Sequence, residues 1–151
     1  MAAERLTRDD ILNMKAGPET DALVAEYMGM PPARCVGVHY VSRDMALDAG
    51  DPSLEGSVYG EEWEAVEPPP FSTSYAASRA AMVHLAATHW WELKSPFYPG
   101  APWWLGATPH NCTGWNGRPD NQVAFADMDE LPLAVCKVFL LTKLDAGEAA
   151  T

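Results

Sequence analysis

Apolar and polar positions along the chain recur with two periods, and each predicts a different kind of element. After Gly17-Pro18, which ends one short helix and opens the next, Leu23, Val24, Tyr27 and Met28 fall at helical spacing. Gly29 and Pro31-Pro32 stop that helix. Phe71-Ser72-Thr73-Ser74 leads into an alanine-rich helix that ends near His89. From Leu131 to Leu144 the apolar residues Leu133, Val135, Cys136, Val138, Phe139, Leu140, Leu141 and Leu144 cover nearly every helix face, which predicts a buried helix. Pro132 opens it, Asp129 and Glu130 suit its positive end, and Lys143 suits its negative end. Strands are predicted over Cys35–Val41, Trp90–Lys94 and Gln122–Ala126, the last two as partners. Leu6-Thr7-Arg8-Asp9-Asp10-Ile11-Leu12 reads as a capped helix start, with Thr7 as cap and Asp10 where a capping-box acid belongs.

Charge divides the chain. From Asp44 to Glu67 there are eight acids and no base, which predicts an acidic, solvated excursion over residues 44–70 around a short strand near Trp63, closed by the stiff Pro68-Pro69-Pro70. From Ser72 to Ala126 the balance is +1, although the whole protein stands at −11. Five of the six tryptophans lie in that near-neutral part, between Trp90 and Trp115. Indole is costly to leave in water and stacks on flat rings, so the cluster predicts either core or the wall of a pocket for something flat. Strand alternation sends Trp90 and Trp91 to opposite faces, one of them into the core. Trp103, Trp104 and Trp115 fall in a Pro/Gly/Trp-rich stretch, residues 95–120, predicted to be a loop with Asn116-Gly117 as one turn.

With 151 residues the chain has room for one hydrophobic core, so a single domain over 1–151 is expected. No apolar run approaches the roughly 20 residues needed to span a bilayer, and the first residues do not resemble a secretion signal. The three cysteines make an odd number without a CxxC pair, which predicts reduced thiols in a cytoplasm. Strong acidity excludes a nucleic-acid polymer as the expected partner, since a polyanion is repelled at long range. A small anion is allowed where local donors outweigh that field.

The candidate chemistry has bland readings beside the sharp ones. Ser72 and Thr73 could hold a phosphate at a helix amino end, or serve as plain caps. Arg79, further into that helix, could assist or face solvent. Arg118 could grip phosphate with its fork of donors, or pair with Asp120. Trp103, Trp104 and Trp115 could stack on a ligand, pin their own loop, or meet another subunit. His84 and His89 are five apart on a helix and do not share a face. His110 and Cys112 lack further ligands at zinc spacing. No catalytic set, metal or cofactor is predicted.

Three blocks resemble a known family. Leu6 to Glu19 with Asp21 to Glu26 resembles the opening of the phage "ABA sandwich" domain family, Phe71-Ser72-Thr73-Ser74 its middle block, and Leu131 to Lys137 its closing helix. Together they cover somewhat under half the chain. The sequence departs from the family pattern between Met30 and Pro70, and its loop from Ser95 to Asp120 is longer and richer in tryptophan. The resemblance implies a phage or prophage origin and an α-β-α layering. The expected fold is therefore a small three-layer α/β (α+β) sandwich, mostly antiparallel, with helices on both faces of the sheet. Small phage proteins of this size include sponges for nucleotide messengers of bacterial defence. The expected function is accordingly non-catalytic: sequestration of a small nucleotide-type immune signal, such as a cyclic oligonucleotide or cyclic ADP-ribose derivative, in the cytoplasm of an infected bacterium. Trp103, Trp104 and Trp115 would stack the base, with Ser72, Thr73, Arg79 and Arg118 toward phosphate. The rival expectations are a phage protein–protein interaction module and a nucleotide hydrolase. A homo-oligomer is left open.

Overall fold

The computed structural model describes residues 6–110 and 121–145, and the chain forms two compact units. The first joins residues 1–30 to 68–151, and the second is Pro31–Glu67. The class is mixed α+β with antiparallel strands, as the sequence predicts.

The first unit is organised by the helix Leu131–Asp145 (α5 in chain order). Leu131, Ala134, Val135, Cys136, Val138, Phe139, Leu140 and Leu141 are all buried, so the helix needs neighbours on every side. It packs on a three-stranded antiparallel sheet of β3 (His89–Lys94), β4 (Trp103–Pro109) and β5 (Asn121–Phe125), with β4 central. Its other sides meet α1 (Arg8–Leu12), α2 (Pro18–Tyr27) and α4 (Tyr75–Ala86). Fully burying each large apolar side chain contributes on the order of 1.5–3 kcal/mol, which makes this helix the main apolar contributor to the unit.

Local signals set the ends of these helices. Thr7 and Asp10 form the predicted reciprocal cap, Thr7 N–H donating to Asp10 Oδ2 at 2.9 Å and Asp10 N–H to Thr7 Oγ1 at 3.1 Å. At the end of α2, Gly29 adopts φ 79°, and Met30 N–H reaches back to Ala25 O at 3.0 Å. That closure needs the left-handed residue that glycine supplies without strain. Before α5, Glu130 accepts from the amides of Ala126 (2.9 Å) and Asp127 (3.0 Å) and closes the turn Met128–Glu130. These donated hydrogen bonds hold the Asp10 and Glu130 carboxyls below the usual carboxylate range. Their help to the fold is therefore full at neutral pH and is lost as pH falls through the lowered values.

The sheet register places Leu93, Leu105 and Val123 side by side on one face, flanked by Trp91, Ala107, Trp103 and Phe125. Trp91 is the core tryptophan of its pair, its indole N–H donating to Met82 O of α4 at 2.9 Å, whereas Trp90 is 64% exposed. The loop expected over 95–120 is corrected: residues 103–109 are the central strand, bonded to β3 and β5 on its two sides. Trp103 and Trp104 thus alternate between faces. Only α4 and α5 among the described helices pack closely on this sheet, and both lie on its Trp91–Leu105–Val123 side. Among the described residues α5 meets the sheet through β4 and β5 and meets α1, α2 and α4 on its other sides.

The second unit is a hairpin with a helical excursion. Strand β1 (Ala33–Tyr40) pairs antiparallel with β2 (Val58–Ala65), and α3 (Arg43–Asp48) and a turn at Pro52–Leu54 lie between them. Residues 44–67 of the acidic excursion thereby form most of this unit and carry the strand predicted around Trp63. Ala46 is the one buried residue among those described here. No helix among the described residues is long and apolar enough to cross a membrane.

A buried polar clasp ties the amino-terminal segment of the first unit to the lead into α4. Ser72 N–H donates to Asp21 Oδ1 at 2.7 Å, and Gly17 N–H donates to Ser72 Oγ at 2.9 Å. Removing the acceptor leaves a buried amide unpaired. Asp21→Ala is expected to lower unfolding free energy by about 1–3 kcal/mol in urea titrations, with Asp21→Asn losing less because it keeps an acceptor.

Candidate functional site

The lead into α4 is shaped by prolines and one aromatic anchor. Phe71 is fully buried, its N–H donating to Pro69 O at 2.8 Å, and Ser74 N–H donates to Pro70 O at 2.9 Å. The turn throws Thr73 and Tyr75 outward on either side of Ser74, which caps α4 by accepting from Ala77 N–H at 3.2 Å. Opposite them, the turn fixed by Glu130 presents Met128 and Asp129 above the start of α5. Between these walls lies a groove of about 490 Å³ lined by Thr73, Tyr75, Leu93, Met128, Asp129, Leu131 and Pro132. Its size falls within the ordinary range for small-molecule sites.

Each wall has its own chemistry. Tyr75, Leu93 and Met128 expose half or nearly half of their surface, so flat apolar area is available for stacking. The groove lies at the amino ends of both α4 and α5, where the helix dipole is positive; at α5 Leu131 N–H already donates to Met128 O and Pro132 has no N–H, so backbone donors can come only from the start of α4. Around α5 that charge is offset by Asp127, Asp129 and Glu130, but the first turn of α4 contains no acid. Thr73 adds a hydroxyl at the α4 end, and the Asp129 carboxylate accepts at the other. The lining thus combines the start of α4 and the Thr73 hydroxyl with the Asp129 carboxylate and the aromatic and aliphatic surface of Tyr75, Leu93 and Met128.

Of the residues singled out in the sequence, Thr73 lines the groove. Arg79 is exposed four residues beyond Tyr75, hence on the same face of α4 one turn on. Ser72 is 3% exposed, and its hydroxyl is engaged by Gly17, so it braces the turn from inside. Trp103 packs against the core with its ring stacked on Phe125, centroids 6.4 Å apart and planes 16° apart. By register it is the diagonal neighbour of Leu93 on one sheet face. Trp104 lies on the opposite face between Lys94 and Ala124. Trp115 and Arg118 lie outside the described residues. The expected wall of three tryptophans is thus divided: one indole is core, one is on the outer sheet face, and the groove has Tyr75 and Met128 instead.

Trp90 also stands on the outer sheet face, its ring centroid 4.3 Å from that of His110. Among the described residues no group of three or more His, Cys, Asp or Glu side chains comes close enough to hold a metal ion. Comparison with known protein families, with curated proteins and with solved structures returns no match.

Sequence reasoning missed Tyr75, Leu93, Met128 and Asp129. Each reads locally as an element end or a strand position, and only the meeting of two helix starts beside β3 gives them a common purpose. The signal that could have been used is the exposed Tyr75 directly after the Ser74 cap.

Cys136 has no access to such chemistry. Burial pushes its thiol up to about 12, and the nearby Asp21 carboxylate adds to the shift. Cys35, by contrast, is exposed. Alkylation of the native protein at mildly alkaline pH, followed by peptide mass analysis, is expected to label Cys35 and spare Cys136 until denaturant is added. Labelling of Cys136 at the same rate as Cys35 would contradict the packing around α5.

Proposed function

We propose that the protein binds a small, flat, nucleotide-type ligand in this groove and holds it without altering it. The observation that carries the reading is the groove itself, which is lined by Thr73 at the acid-free start of α4, by Asp129, and by Tyr75, Leu93 and Met128. A phosphate suits the α4 end, where amides and dipole favour negative charge, with Arg79 one turn away to assist. A base suits the side walls. Its exocyclic amino group, or a ribose hydroxyl, suits the Asp129 carboxylate. Holding a ligand requires only complementary surface, whereas turnover requires an activated nucleophile or a placed acid and base.

The biological setting of the proposal rests on the sequence blocks that resemble the phage family. In that setting the ligand is a nucleotide messenger of bacterial defence, and the protein is a cytoplasmic sponge for it in the infected cell.

The test is retention. The protein is incubated with cyclic dinucleotides and cyclic ADP-ribose isomers, freed of unbound ligand by filtration, and then denatured. Intact ligand released only on denaturation is the expected result. A chemically altered product would make the protein an enzyme, and no retention of any of these compounds would overturn the reading. Tyr75→Ala is expected to weaken a retained ligand by roughly tenfold or more, the size of one lost stacking contact. Trp90→Ala, on the outer sheet face, is expected to leave affinity unchanged.

A further inference from the structure

The hairpin of the second unit leaves its own backbone and apolar surface incompletely used. A two-stranded sheet is marginal by itself in water, and three or more strands are the usual minimum. Here Val36, Val38, Tyr40, Val58, Tyr59 and Trp63 are all at least 40% exposed. Both strands are edge strands with N–H and C=O groups on the side away from the partner, and the row on β1 is interrupted by register shifts at Val36 and between His39 and Tyr40.

The two edges differ in charge. Strand β2 carries Glu61, Glu62 and Glu64, carboxylates that guard an edge against a like-charged strand. Strand β1, Ala33-Arg34-Cys35-Val36-Gly37-Val38-His39-Tyr40, contains no acid. Its two basic side chains are turned to its own partner: Arg34 Nε is 2.6 Å from Glu64 Oε1, and His39 Nε2 is 3.3 Å from Glu62 Oε1. Strand β1 is therefore free of acids, with its bases paired to its own partner and valines between them, within a unit that is otherwise strongly acidic.

We infer that β1 pairs edge to edge with β1 of a second copy, antiparallel across a two-fold axis, to give a four-stranded sheet of order β2-β1-β1-β2. Charge selects this occupant and this edge. Pairing through β2 would set the glutamates of two copies within about 5 Å of one another, whereas pairing through β1 sets the two β2 strands roughly 14 Å apart. That separation exceeds the Debye length of about 8 Å at physiological salt. A symmetric pairing about the middle of β1 brings Cys35 of one copy opposite Val38 of the other and Arg34 opposite His39, each of these two bases being paired with a glutamate of its own β2. A basic foreign surface would instead favour the glutamates of β2.

Sedimentation equilibrium on the full chain over a dilution series tests the pairing. A dimer is expected, tightening as salt rises because the net charge of −11 per copy is screened. Val36→Glu places an acid on the exposed edge and is expected to weaken the dimer by roughly tenfold or more. Tyr59→Glu on β2 is expected to leave it intact, and circular dichroism shows that each variant keeps its fold. In a Cys112→Ser background a short bis-maleimide is expected to join the Cys35 thiols of two copies, since the symmetric register sets them roughly 10 Å apart along the strands. A monomer throughout the series overturns the inference. So does a dimer broken by Tyr59→Glu and indifferent to Val36→Glu, which would assign the contact to β2.

Discussion

A helix that is apolar on every side cannot face water, and α5 is such a helix. From Leu131 to Leu141 nine of its side chains are buried, so a sheet must cover one side and three helices the others. This one requirement fixes where the remaining elements lie. It sets β4 and β5 under the helix and α4 beside it, and it brings the amino ends of α4 and α5 to either side of Leu93. The groove is a consequence of that packing, because two helices that start at the same end of a sheet leave a space between their first turns.

The groove is kept in shape by polar contacts that hold its walls from behind. Ser72 faces inward to Gly17 and Asp21, and Phe71 is locked in the core, so the turn displays Thr73 and Tyr75 with little freedom. Glu130 does the same for Met128 and Asp129 by taking the amides of Ala126 and Asp127. Preorganised walls of this kind reduce the ordering that a ligand would otherwise impose on binding. The hairpin of the second unit shows the opposite condition. It has scarcely any interior, and its exposed valines and aromatics call for another strand rather than for a small molecule.

Much of the fold was legible in the sequence where a local pattern and a tertiary role agree. The Thr7–Asp10 cap, the stop at Gly29 and the buried character of α5 all follow from nearby residues. The division of Trp90 from Trp91 follows from strand alternation. Trp103 to Pro109 was not legible as a strand, because Pro102 and Pro109 bracket a short apolar run among other loop-forming residues. Its extended form is imposed by hydrogen bonds to strands on both sides. Ser72 was misjudged for a related reason: a serine ahead of a helix resembles a ligand or a cap, and its true partner, Gly17, lies 55 residues away. Thr73 was legible because exposure at a helix start is a local property. Tyr75, Met128 and Asp129 were not, since their meeting depends on how α5 is enclosed.

Amide hydrogen exchange, compared with and without a retained nucleotide ligand, reports most directly on whether the space between the two helix starts is the binding site. Slower exchange confined to residues 73–77 and 128–134 is the result expected from this account. Slowing on the Trp90–Trp104 face of the sheet instead, with those two segments unchanged, would contradict it.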